Sequence, residues 1–342
     1  MAQVPETFKR LMVKKLTFDF REACAIEEGK APELAENEIL VKNNYVGINA
    51  SDKNFSAGRY FPDSAPPFPV GFEGLGVVVQ KGSKVSMQLG QPVAYMANGA
   101  FTEYMQIEES KVIPLPELNK EFLPLLVSGL TAGIALEQTA NLKKGETVLV
   151  TAAAGGTGQF AVQLAKITGC HVIGTCSTDS KAALLKELGC DRVINYKEEN
   201  LGDVLSKEYP KGVDVVYESV GGEMFDAGIK NLAQHGRLVV IGFISGYESG
   251  EFTAASETMS SLPRTLLGKN ASVRGFFLPG HVEHIQLTAQ KLIKLYVTKQ
   301  LKSHVDNGVH SDKGPFKGLE SISDAVDYLY TKKSVGKIIV EL

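Results

Sequence analysis

The 342-residue sequence lacks tryptophan, has only four cysteines and carries little excess charge of either sign. Its formal net charge is −3 and its basic residues are scattered, so we expect neither nucleic acid nor an anionic membrane as a partner. The cysteines form no C-x-x-C pair, and we expect them to be free, structural thiols in a reducing compartment. They are Cys24, Cys170, Cys176 and Cys190.

Long hydrophobic runs are also absent. No segment approaches the roughly 18 uninterrupted apolar residues of a membrane helix, and the N-terminus "MAQVPETFKRLMVKKL" lacks the apolar core of a secretory signal. We therefore expect a soluble intracellular protein, cytoplasmic as this chain stands. A peroxisomal location is expected only if a Ser-Lys-Leu type address originally followed "IIVEL".

Two different patterns divide the chain. Over about the first 120 residues, short alternating runs separated by Gly and Pro indicate an irregular, mainly β unit. These runs are "EILVKNNYVGIN", "GLGVVVQKG", "QPVAYMA" and "FTEYMQI". From about Leu130, apolar runs alternate with amphipathic helical patterns such as "DSKAALLKELG" and "MFDAGIKNLAQHG", each closed by a glycine.

Six apolar runs in this second part predict a parallel, doubly wound α/β sheet of the Rossmann type, because strands joined by helices are buried on both faces. The runs are "TVLVT", "HVIGTCS", "DRVINY", "GVDVVYES", "RLVVIGF" and "ASVRGFFL". A long helix is predicted from His281 to about Thr298, and strand-like runs follow it. We therefore predict a dinucleotide-binding domain at 129–304, inserted within a mainly β domain formed by 1–128 and 305–342.

A glycine-rich turn joins the first of these strands to a helix. Residues 153–158 read "AAGGTG", a G-x-G-x-x-G pattern with alanine in the first position. Glycines let a pyrophosphate approach the backbone, and the helix start offers N–H groups and a partial positive charge. Because a strand precedes the turn and a helix follows it, a dinucleotide site is favoured over close packing alone. The predicted pyrophosphate ligands are Gly155, Gly156, Thr157 and Gly158.

The end of the second strand indicates which dinucleotide binds, since an acid there would hold the ribose 2′-OH of NAD. The strand ends instead at Cys176 and Ser177, Lys181 follows in the next helix, and Tyr196 closes the next strand. An ammonium and two hydroxyls suit a 2′-phosphate, so we predict NADPH, bound by Ser177, Lys181 and Tyr196. Asp179 lies two residues beyond Ser177, and its carboxylate would repel a 2′-phosphate. We expect Asp179 to serve instead as the N-cap of the following helix.

Several motifs together resemble the medium-chain dehydrogenase/reductases, specifically their zinc-free quinone oxidoreductase and enone reductase branch. The motifs are the glycine turn, "GINASD", "GFEGLG", "INYK", "YESVGG" and the terminal "GKIIVEL". The resemblance covers nearly the whole chain and implies that the mainly β unit is a GroES-like catalytic domain. It also implies a homodimer, since relatives commonly pair the edge strands of their nucleotide domains.

The same resemblance bears on zinc. Zinc-dependent relatives have a ligand histidine where Phe72 stands and a ligand cysteine where Asn49 stands, and catalytic zinc needs about three protein ligands. The four-cysteine lobe of structural zinc is also missing. His281 and His284 share a helix face, which we interpret as solvated. We therefore predict no metal.

Without a Lewis acid, the usual means of polarising an alcohol or aldehyde oxygen is lost. An α,β-unsaturated ketone needs less help, because charge spreads as an enolate that one or two hydrogen-bond donors stabilise. The resemblance implies NADPH-dependent reduction of the carbon–carbon double bond of lipophilic enones, with 15-oxo-prostaglandins as substrates of a 13-reductase. Two alternatives stay open: an NADPH quinone oxidoreductase, and an NADPH-binding protein without turnover.

Residues that follow the carboxyl ends of parallel strands are expected to line the nicotinamide half of the cofactor. They are Ser219, Ile241, Tyr247, Phe276, Phe277 and Leu278. The resemblance implies that Tyr247, in "ISGY", lies beside the substrate carbonyl, where it would donate to the enolate. The alternative is a tyrosine that covers the cofactor without a chemical role.

The other domain supplies further candidates by resemblance. Asn49 and Tyr60 match a stretch that faces the nicotinamide in quinone oxidoreductases, which makes them catalytic candidates. Their alternatives are a turn residue for Asn49 and a lid over apolar surface for Tyr60. Ser334, in "KKSVGKIIV", matches a segment that closes on the cofactor.

Overall fold

The computed structural model describes residues 4–60, 65–248 and 256–342. Its strands are β1 (Thr7–Val13), β2 (Cys24–Lys30), β3 (Glu38–Gly47), β4 (Phe68–Pro69), β5 (Glu73–Lys81), β6 (Pro92–Met96), β7 (Tyr104–Glu108), β8 (Val112–Pro114), β9 (Thr147–Val150), β10 (His171–Cys176), β11 (Arg192–Asn195), β12 (Val213–Glu218), β13 (Leu232–Val240), β14 (Ser272–Gly275), β15 (Val305–Asp306) and β16 (Lys337–Glu341). Its α-helices are α1 (Phe20–Ala23), α2 (Ser51–Ser56), α3 (Val127–Ile134), α4 (Gly158–Thr168), α5 (Asp179–Glu187), α6 (Leu201–Glu208), α7 (Gly222–Lys230), α8 (Ser256–Lys269), α9 (Val282–Val297) and α10 (Ile322–Tyr330).

The chain forms two units. The first comprises Met1–Val127 together with Val305–Leu342, and the second comprises Ser128–His304. Each unit has its own buried apolar core. The second unit is thus a single continuous stretch of chain, whereas the first is assembled from two.

A six-stranded parallel sheet forms the centre of the second unit, in the order β11-β10-β9-β12-β13-β14. Each of the six apolar runs forms one of its strands, so the predicted Rossmann fold is confirmed. The central side chains Leu149, Ile173 and Val216 are fully buried, as expected for strands covered on both faces. The strand order reverses between β9 and β12, which places the ends of these two strands at the topological switch point.

One helix prediction in this unit is wrong at its end. The pattern "MFDAGIKNLAQHG" suggested a helix closed by Gly236, but α7 ends at Lys230 and Leu232 already begins β13. Leu232 pairs with Val213, and the register then shifts before the pairing resumes. His235 has a φ of 63° within this irregular stretch. Strand pairing therefore overrides a sequence pattern that resembles a helix.

The first unit contains a seven-stranded sheet and a three-stranded sheet. The larger has the order β15-β16-β3-β5-β6-β8, with β7 also pairing with β3, and the smaller has the order β2-β1-β4. The four predicted runs form β3, β5, β6 and β7, whereas β1 and β2 were not predicted. Strand β16 runs antiparallel to β3, with Ile339 opposite Gly47, so the C-terminal segment completes the N-terminal sheet.

One helical stretch among the described residues, Lys120–Thr139, is long and apolar enough to cross a membrane by length and composition. However, 72% of its apolar window is buried inside the fold. Leu123, Leu130 and Ile134 lie on it and have almost no exposed surface. The stretch is therefore a core helix of the kind that soluble proteins contain.

The four cysteines are free, as predicted. Cys170, Cys176 and Cys190 are buried, and Cys24 is half-buried. Burial raises the pKa of the Cys24 and Cys190 thiols to about 12. These two thiols are therefore protonated and unreactive at neutral pH.

Candidate cofactor and active site

The glycine turn joins β9 to α4 and presents bare backbone. Thr157 occupies the N-cap position of α4, and its side chain makes no capping hydrogen bond. A Cβ atom on Gly158 would lie 2.4 Å from the carbonyl oxygen of Ala152 and 2.7 Å from Cα of Ala153, so only glycine fits. Gly155 and Gly156 lie in the same turn and are half-buried. An uncapped helix start behind bare backbone is the arrangement that accepts a pyrophosphate.

The next strand ends without an acid. Ser177 follows the last residue of β10 and is buried. Lys181 is also buried, and Tyr196 is half-buried with its N–H bonded to the Cys176 carbonyl at 3.0 Å. These three residues thus follow the ends of the adjacent strands β10 and β11 or lie in the helix between them. Their contacts with a 2′-phosphate stay a prediction.

The prediction that Asp179 caps α5 is wrong. Thr178 is the N-cap, and its Oγ1 accepts the N–H of Lys181 at 3.3 Å. Thr178 has the extended backbone that a cap requires, with φ −153° and ψ 157°, whereas Asp179 already lies in the first helical turn. Asp179 is exposed there.

A buried carboxyl group, Glu218, organises the end of β12. It accepts hydrogen bonds from the N–H of Val220 at 2.9 Å, the N–H of Gly221 at 3.1 Å and the hydroxyl of Thr151 at 3.3 Å. Burial raises its pKa to about 7, against the effect of these donors. The N–H of Ser219 donates to Thr151 Oγ1 at 2.9 Å, which ties Ser219 to the end of β9 at the switch point.

Tyr247 lies beyond the end of β13. Its ring packs edge-on against Phe243 with centroids 4.9 Å apart, and its hydroxyl accepts the N–H of Phe243 at 3.3 Å. A Cβ atom on Gly242 would lie 2.7 Å from this hydroxyl. Ile241, the first residue after β13, donates its N–H to the Glu218 carbonyl at 2.7 Å. Tyr247 is buried, and these contacts hold its hydroxyl close to the carboxyl end of the sheet.

The last three predicted residues of this unit follow β14. Phe276 is buried, donates its N–H to the Val240 carbonyl at 3.0 Å and stacks on His281 with centroids 4.8 Å apart. Phe277 is half exposed, and Leu278 begins a short 3-10 turn. The fold thus brings the strand-end candidates of this unit to one edge of the sheet, as the parallel-strand rule requires.

Asn49, in the first unit, belongs to a buried polar cluster with Glu73 and Lys337. The Asn49 Oδ1 accepts from Lys337 Nζ at 2.6 Å, and its Nδ2 donates to Glu73 Oε1 at 3.1 Å and to the Gly47 carbonyl at 3.3 Å. Lys337 Nζ also lies 2.6 Å from Glu73 Oε1. A Cβ atom on Gly47 would lie 2.4 Å from Glu73 Oε1, so glycine leaves the space that the carboxylate fills.

A second acid, Asp52, adjoins the cluster. Its Oδ2 accepts the backbone N–H of Asn49 at 2.8 Å. Burial raises the pKa of Asp52 to about 8, with Glu73 acting in the same direction and Lys337 in the opposite one. Asp52 is therefore mostly protonated at neutral pH.

Two other candidates of this unit have defined neighbours. The Tyr60 hydroxyl accepts from Asn54 Nδ2 at 3.2 Å, and the residues that follow, 61–64, lie outside the described part of the chain. Ser334 is half-buried in the loop before β16. The N–H of Val335 donates to Asp306 Oδ2 at 3.0 Å, which anchors this loop. Roles for Tyr60 and Ser334 at the cofactor stay predictions.

The candidate metal donors lie at the start of α9. Side-chain donor atoms of His281, Glu283 and His284 lie within 4.8 Å of one another. Both histidines are half-buried and Glu283 is exposed. This spacing would allow one ion to contact all three, so our expectation of a merely solvated face stays a prediction.

Sequence reasoning overlooked the partners of Asn49. Glu73 and Lys337 each begin a strand whose following residues are largely buried and apolar. A charged residue in such a context is a usable signal, because buried charges are almost always paired. The sequence alone does not show which charges pair.

The second unit combines a Rossmann sheet with an uncapped glycine turn and a second strand that ends at Cys176 and Ser177 without an acid, and the first unit is mainly β. Together these features are typical of the NADPH-dependent oxidoreductases. The family model for zinc-binding dehydrogenases matches residues 156–296, and that for the alcohol dehydrogenase GroES-like domain matches residues 35–117. The chain belongs to the medium-chain dehydrogenase/reductase family, in its quinone oxidoreductase branch. The resemblance seen in its motifs is thereby confirmed.

Curated proteins resemble the chain over nearly its whole length. Prostaglandin reductase-3 of Mus musculus is 52% identical over 99% of this chain and 90% of its own length. A probable quinone oxidoreductase of Leishmania amazonensis is 46% identical over 99% of both chains. Among solved structures, the Escherichia coli quinone oxidoreductase complexed with NADPH superposes with a TM-score of 0.83 at 28% identity, covering 98% of this chain and 100% of the other.

Proposed function

We propose that this protein reduces the carbon–carbon double bond of α,β-unsaturated ketones with NADPH, and that 15-oxo-prostaglandins are its substrates. The name of its 52% identical relative, prostaglandin reductase-3, supports this substrate class. The observation that carries the proposal is the contact of the Lys337 ammonium with Asn49 and Glu73, at 2.6 Å from each. This ammonium already neutralises the buried Glu73 carboxylate, so a second cation at these residues would add excess positive charge to a buried site, which favours a reaction that needs no metal here.

The residues present fit NADPH. The Gly158 position leaves no room for a Cβ atom, and the ribose edge has a buried serine and lysine where NAD-specific relatives have an acid. The bound cofactor supplies the hydride. The residues proposed to hold it are Gly155, Gly156, Thr157 and Gly158 at the pyrophosphate, Ser177, Lys181 and Tyr196 at the 2′-phosphate, and Ser219, Ile241, Phe276, Phe277, Leu278 and Ser334 around the nicotinamide half.

Reduction of a conjugated ketone places negative charge on the carbonyl oxygen, and a positioned hydroxyl can stabilise it. We assign this donor role to Tyr247. Its hydroxyl accepts a backbone N–H from Phe243, which orients the oxygen, and a phenol hydroxyl is able to donate as well as accept. Tyr60, whose oxygen accepts from Asn54, is the second hydroxyl proposed to face the substrate.

The substrate assignment is tested with purified protein, NADPH and 15-oxo-prostaglandin E. We expect substrate-dependent loss of NADPH absorbance and a product in which only the carbon–carbon double bond is reduced. Reduction of the ketone to an alcohol, or oxidation of NADPH at the same rate without enone, would contradict the proposal. Omission of the enone and of the protein are the two controls.

Tyr247→Phe tests the donor. Removing one donor to a developing oxyanion lowers kcat by about 10²–10³-fold, while NADPH affinity should stay within about 3-fold of the wild type. Tyr209→Phe is the matched control, because the Tyr209 hydroxyl bonds His171 at the amino end of β10. Equal kcat values for Tyr247→Phe and Tyr209→Phe would show that Tyr247 only covers the cofactor.

A quinone oxidoreductase activity is the second candidate, because the Leishmania and Escherichia coli proteins carry that name. Quinones are conjugated ketones, so the same donors would serve both substrates. A panel of quinones assayed with NADPH, together with detection of semiquinone radicals, separates the two. The quinone activity becomes the main function if quinones are turned over and 15-oxo-prostaglandin E is not.

We also propose that the protein is a homodimer. Strand β14 forms one edge of the six-stranded sheet, and Arg274 and Gly275 on it are exposed. The apolar side chain of Val282 follows in the sequence and is exposed as well. Edge pairing of two copies would cover this region. Light scattering should give twice the 36.9 kDa chain mass, and a value of one chain mass would contradict the dimer.

We propose a cytoplasmic location for the enzyme. Its family and the buried position of Lys120–Thr139 both support a soluble protein. The peroxisomal alternative has no support in the comparisons, and we do not propose it. Co-localisation of the tagged protein with a peroxisomal marker would contradict the cytoplasmic assignment.

A further inference from the structure

Strand pairing assembles the cluster around Asn49. Strand β16 lies beside β3 with Ile339 opposite Gly47, and β3 lies beside β5 with Val46 opposite Gly74. These registers bring the first residue of β16, Lys337, and the first residue of β5, Glu73, to the end of β3, where Asn49 follows. The backbone therefore fixes where the three side chains meet.

The hydrogen bonds of the cluster permit one orientation of the Asn49 amide. Its oxygen faces the Lys337 ammonium, and its nitrogen faces the Glu73 carboxylate and the Gly47 carbonyl. A flipped amide would place N–H₂ against the ammonium and oxygen against two acceptors. Both N–H groups of Asn49 are thus used, and Oδ1 keeps one lone pair.

Asn49 is the least buried member of the cluster. Asn49 is 8% exposed, whereas Lys337 is 2% and Glu73 is 0% exposed. Glu73 is also held from the far side, because its Oε2 accepts the N–H of Val127 at 2.9 Å. Lys337 therefore acts on a ligand only through Asn49.

We propose that Lys337 is a positioning residue that fixes Asn49 as a hydrogen-bond acceptor, with no N–H donor, toward the bound cofactor or substrate. The proposal rests on the proposed function and on the motif resemblance, which implies that Asn49 faces the nicotinamide. The group recognised by Asn49 is a donor, such as the carboxamide N–H₂ or a ribose hydroxyl of the cofactor, or a hydroxyl of the substrate. Stabilisation of the enolate then falls to hydroxyl donors and not to Asn49.

The alternative is an ion pair that serves only folding. Lys337→Met alone would leave the Glu73 carboxylate buried without its cation. This is strongly destabilising whether Lys337 positions Asn49 or serves only folding, so the single variant does not separate the two roles. The double variant Lys337→Met/Glu73→Gln removes both charges. Its glutamine can accept from Asn49 Nδ2 or donate to Asn49 Oδ1, so the amide loses its single orientation.

The experiment compares the wild type with both variants, measuring thermal midpoint, NADPH affinity and enone kinetics. We expect the double variant to regain most of the thermal midpoint that Lys337→Met loses, while kcat stays at least ~10-fold below the wild type. A higher NADPH Kd assigns the donor to the cofactor, and a higher enone KM with unchanged Kd assigns it to the substrate. Wild-type kinetics in the stable double variant would overturn the proposal.

A readout without turnover keeps this test separate from the proposed function. The side-chain N–H₂ of Asn49, identified by its loss in Asn49→Asp, should exchange slowly with solvent in the ligand-free wild type and faster in the double variant. Equal exchange rates would overturn the proposal. A wild type that reduces no enone would refute the proposed function alone, since amide exchange and NADPH affinity would still report on Lys337.

Tyr95→Phe is the matched control for stability. The Tyr95 hydroxyl donates to Asn43 Oδ1 at 2.8 Å, is fully buried and lies in the same sheet. Its loss should lower the thermal midpoint and leave kcat within about 2-fold of the wild type. If kcat falls as much in Tyr95→Phe as in the double variant, a general loss of stability explains both and the proposal fails.

Discussion

Gly158→Ala should weaken NADPH binding far more than Gly155→Ala, although both lie in the same turn. The alanine Cβ at 158 would lie 2.4 Å from the Ala152 carbonyl oxygen and 2.7 Å from Ala153 Cα. Both neighbours are backbone, so the turn itself must move. At 155, the nearest atom is the same Ala152 oxygen at 3.2 Å, and a shift of a few tenths of an ångström accommodates it.

The size of the effect follows from these contacts. Forcing a methyl group into a tightly packed backbone turn costs about 1–3 kcal/mol of folding stability. The displaced turn also misaligns N–H groups that hydrogen-bond a charged phosphate, and one such bond contributes about 1.5–3 kcal/mol. Loss of one bond corresponds to an increase in the NADPH Kd of about 10- to 150-fold. We expect a change of less than about 3-fold for Gly155→Ala.

Fluorescence titration of NADPH measures both affinities, and thermal unfolding without NADPH measures the cost to folding. The expected result is a folded Gly158→Ala protein with a strongly raised Kd, beside a Gly155→Ala protein close to the wild type. Equal Kd values for Gly158→Ala and the wild type would refute the view that the pyrophosphate rests on this turn. Equal losses in both variants would refute the contact argument.

Two further predictions concern stability. The pKa of Asp52 is raised from its ordinary value to about 8 in the folded state, so stability should fall as pH rises from about 4 to about 8, by up to about 1.4 kcal/mol per pH unit. Denaturant unfolding across this range should show a flatter profile for Asp52→Asn, and an unchanged slope would contradict the assignment. Arg237 forms a bidentate pair with Glu146 at 2.7 and 2.9 Å, and we expect Arg237→Met to cost about 3 kcal/mol in urea unfolding. A loss below about 0.5 kcal/mol would show that this pair behaves like an exposed one.

The Rossmann sheet was predictable because its signals are local. Each apolar run, such as the one at His171–Cys176, is long enough to form a buried strand, and the glycine turn stands at a strand–helix junction. Parallel strands then place their following residues at one edge without further information, which is why the position of Ser219 and Tyr247 at that edge was predictable. Errors arose where tertiary pairing opposed the local pattern, as at Leu232, or where the cap differed by one residue, as at Asp179.

The cluster around Asn49 was not predictable in this way. Asn49 and Lys337 are 288 residues apart in the sequence, and they meet only because β16 pairs with β3 in one particular register. A shift of one residue would turn Lys337 to the other face of the sheet. The contact between Thr151 and Ser219 likewise depends on β9 and β12 being neighbours.

The sequence by itself therefore determined the class of fold, the position of the glycine turn and the residue types that follow β10, because each depends on periodicity or on the absence of a side chain at a known place. The tertiary structure decided which buried charges pair and which way the Asn49 amide points. Those outcomes depend on strand register and on the cost of burying an unpaired charge, which act only between segments distant in the chain. The sequence showed the chemical type of each side chain, but it did not show which other side chains each one contacts.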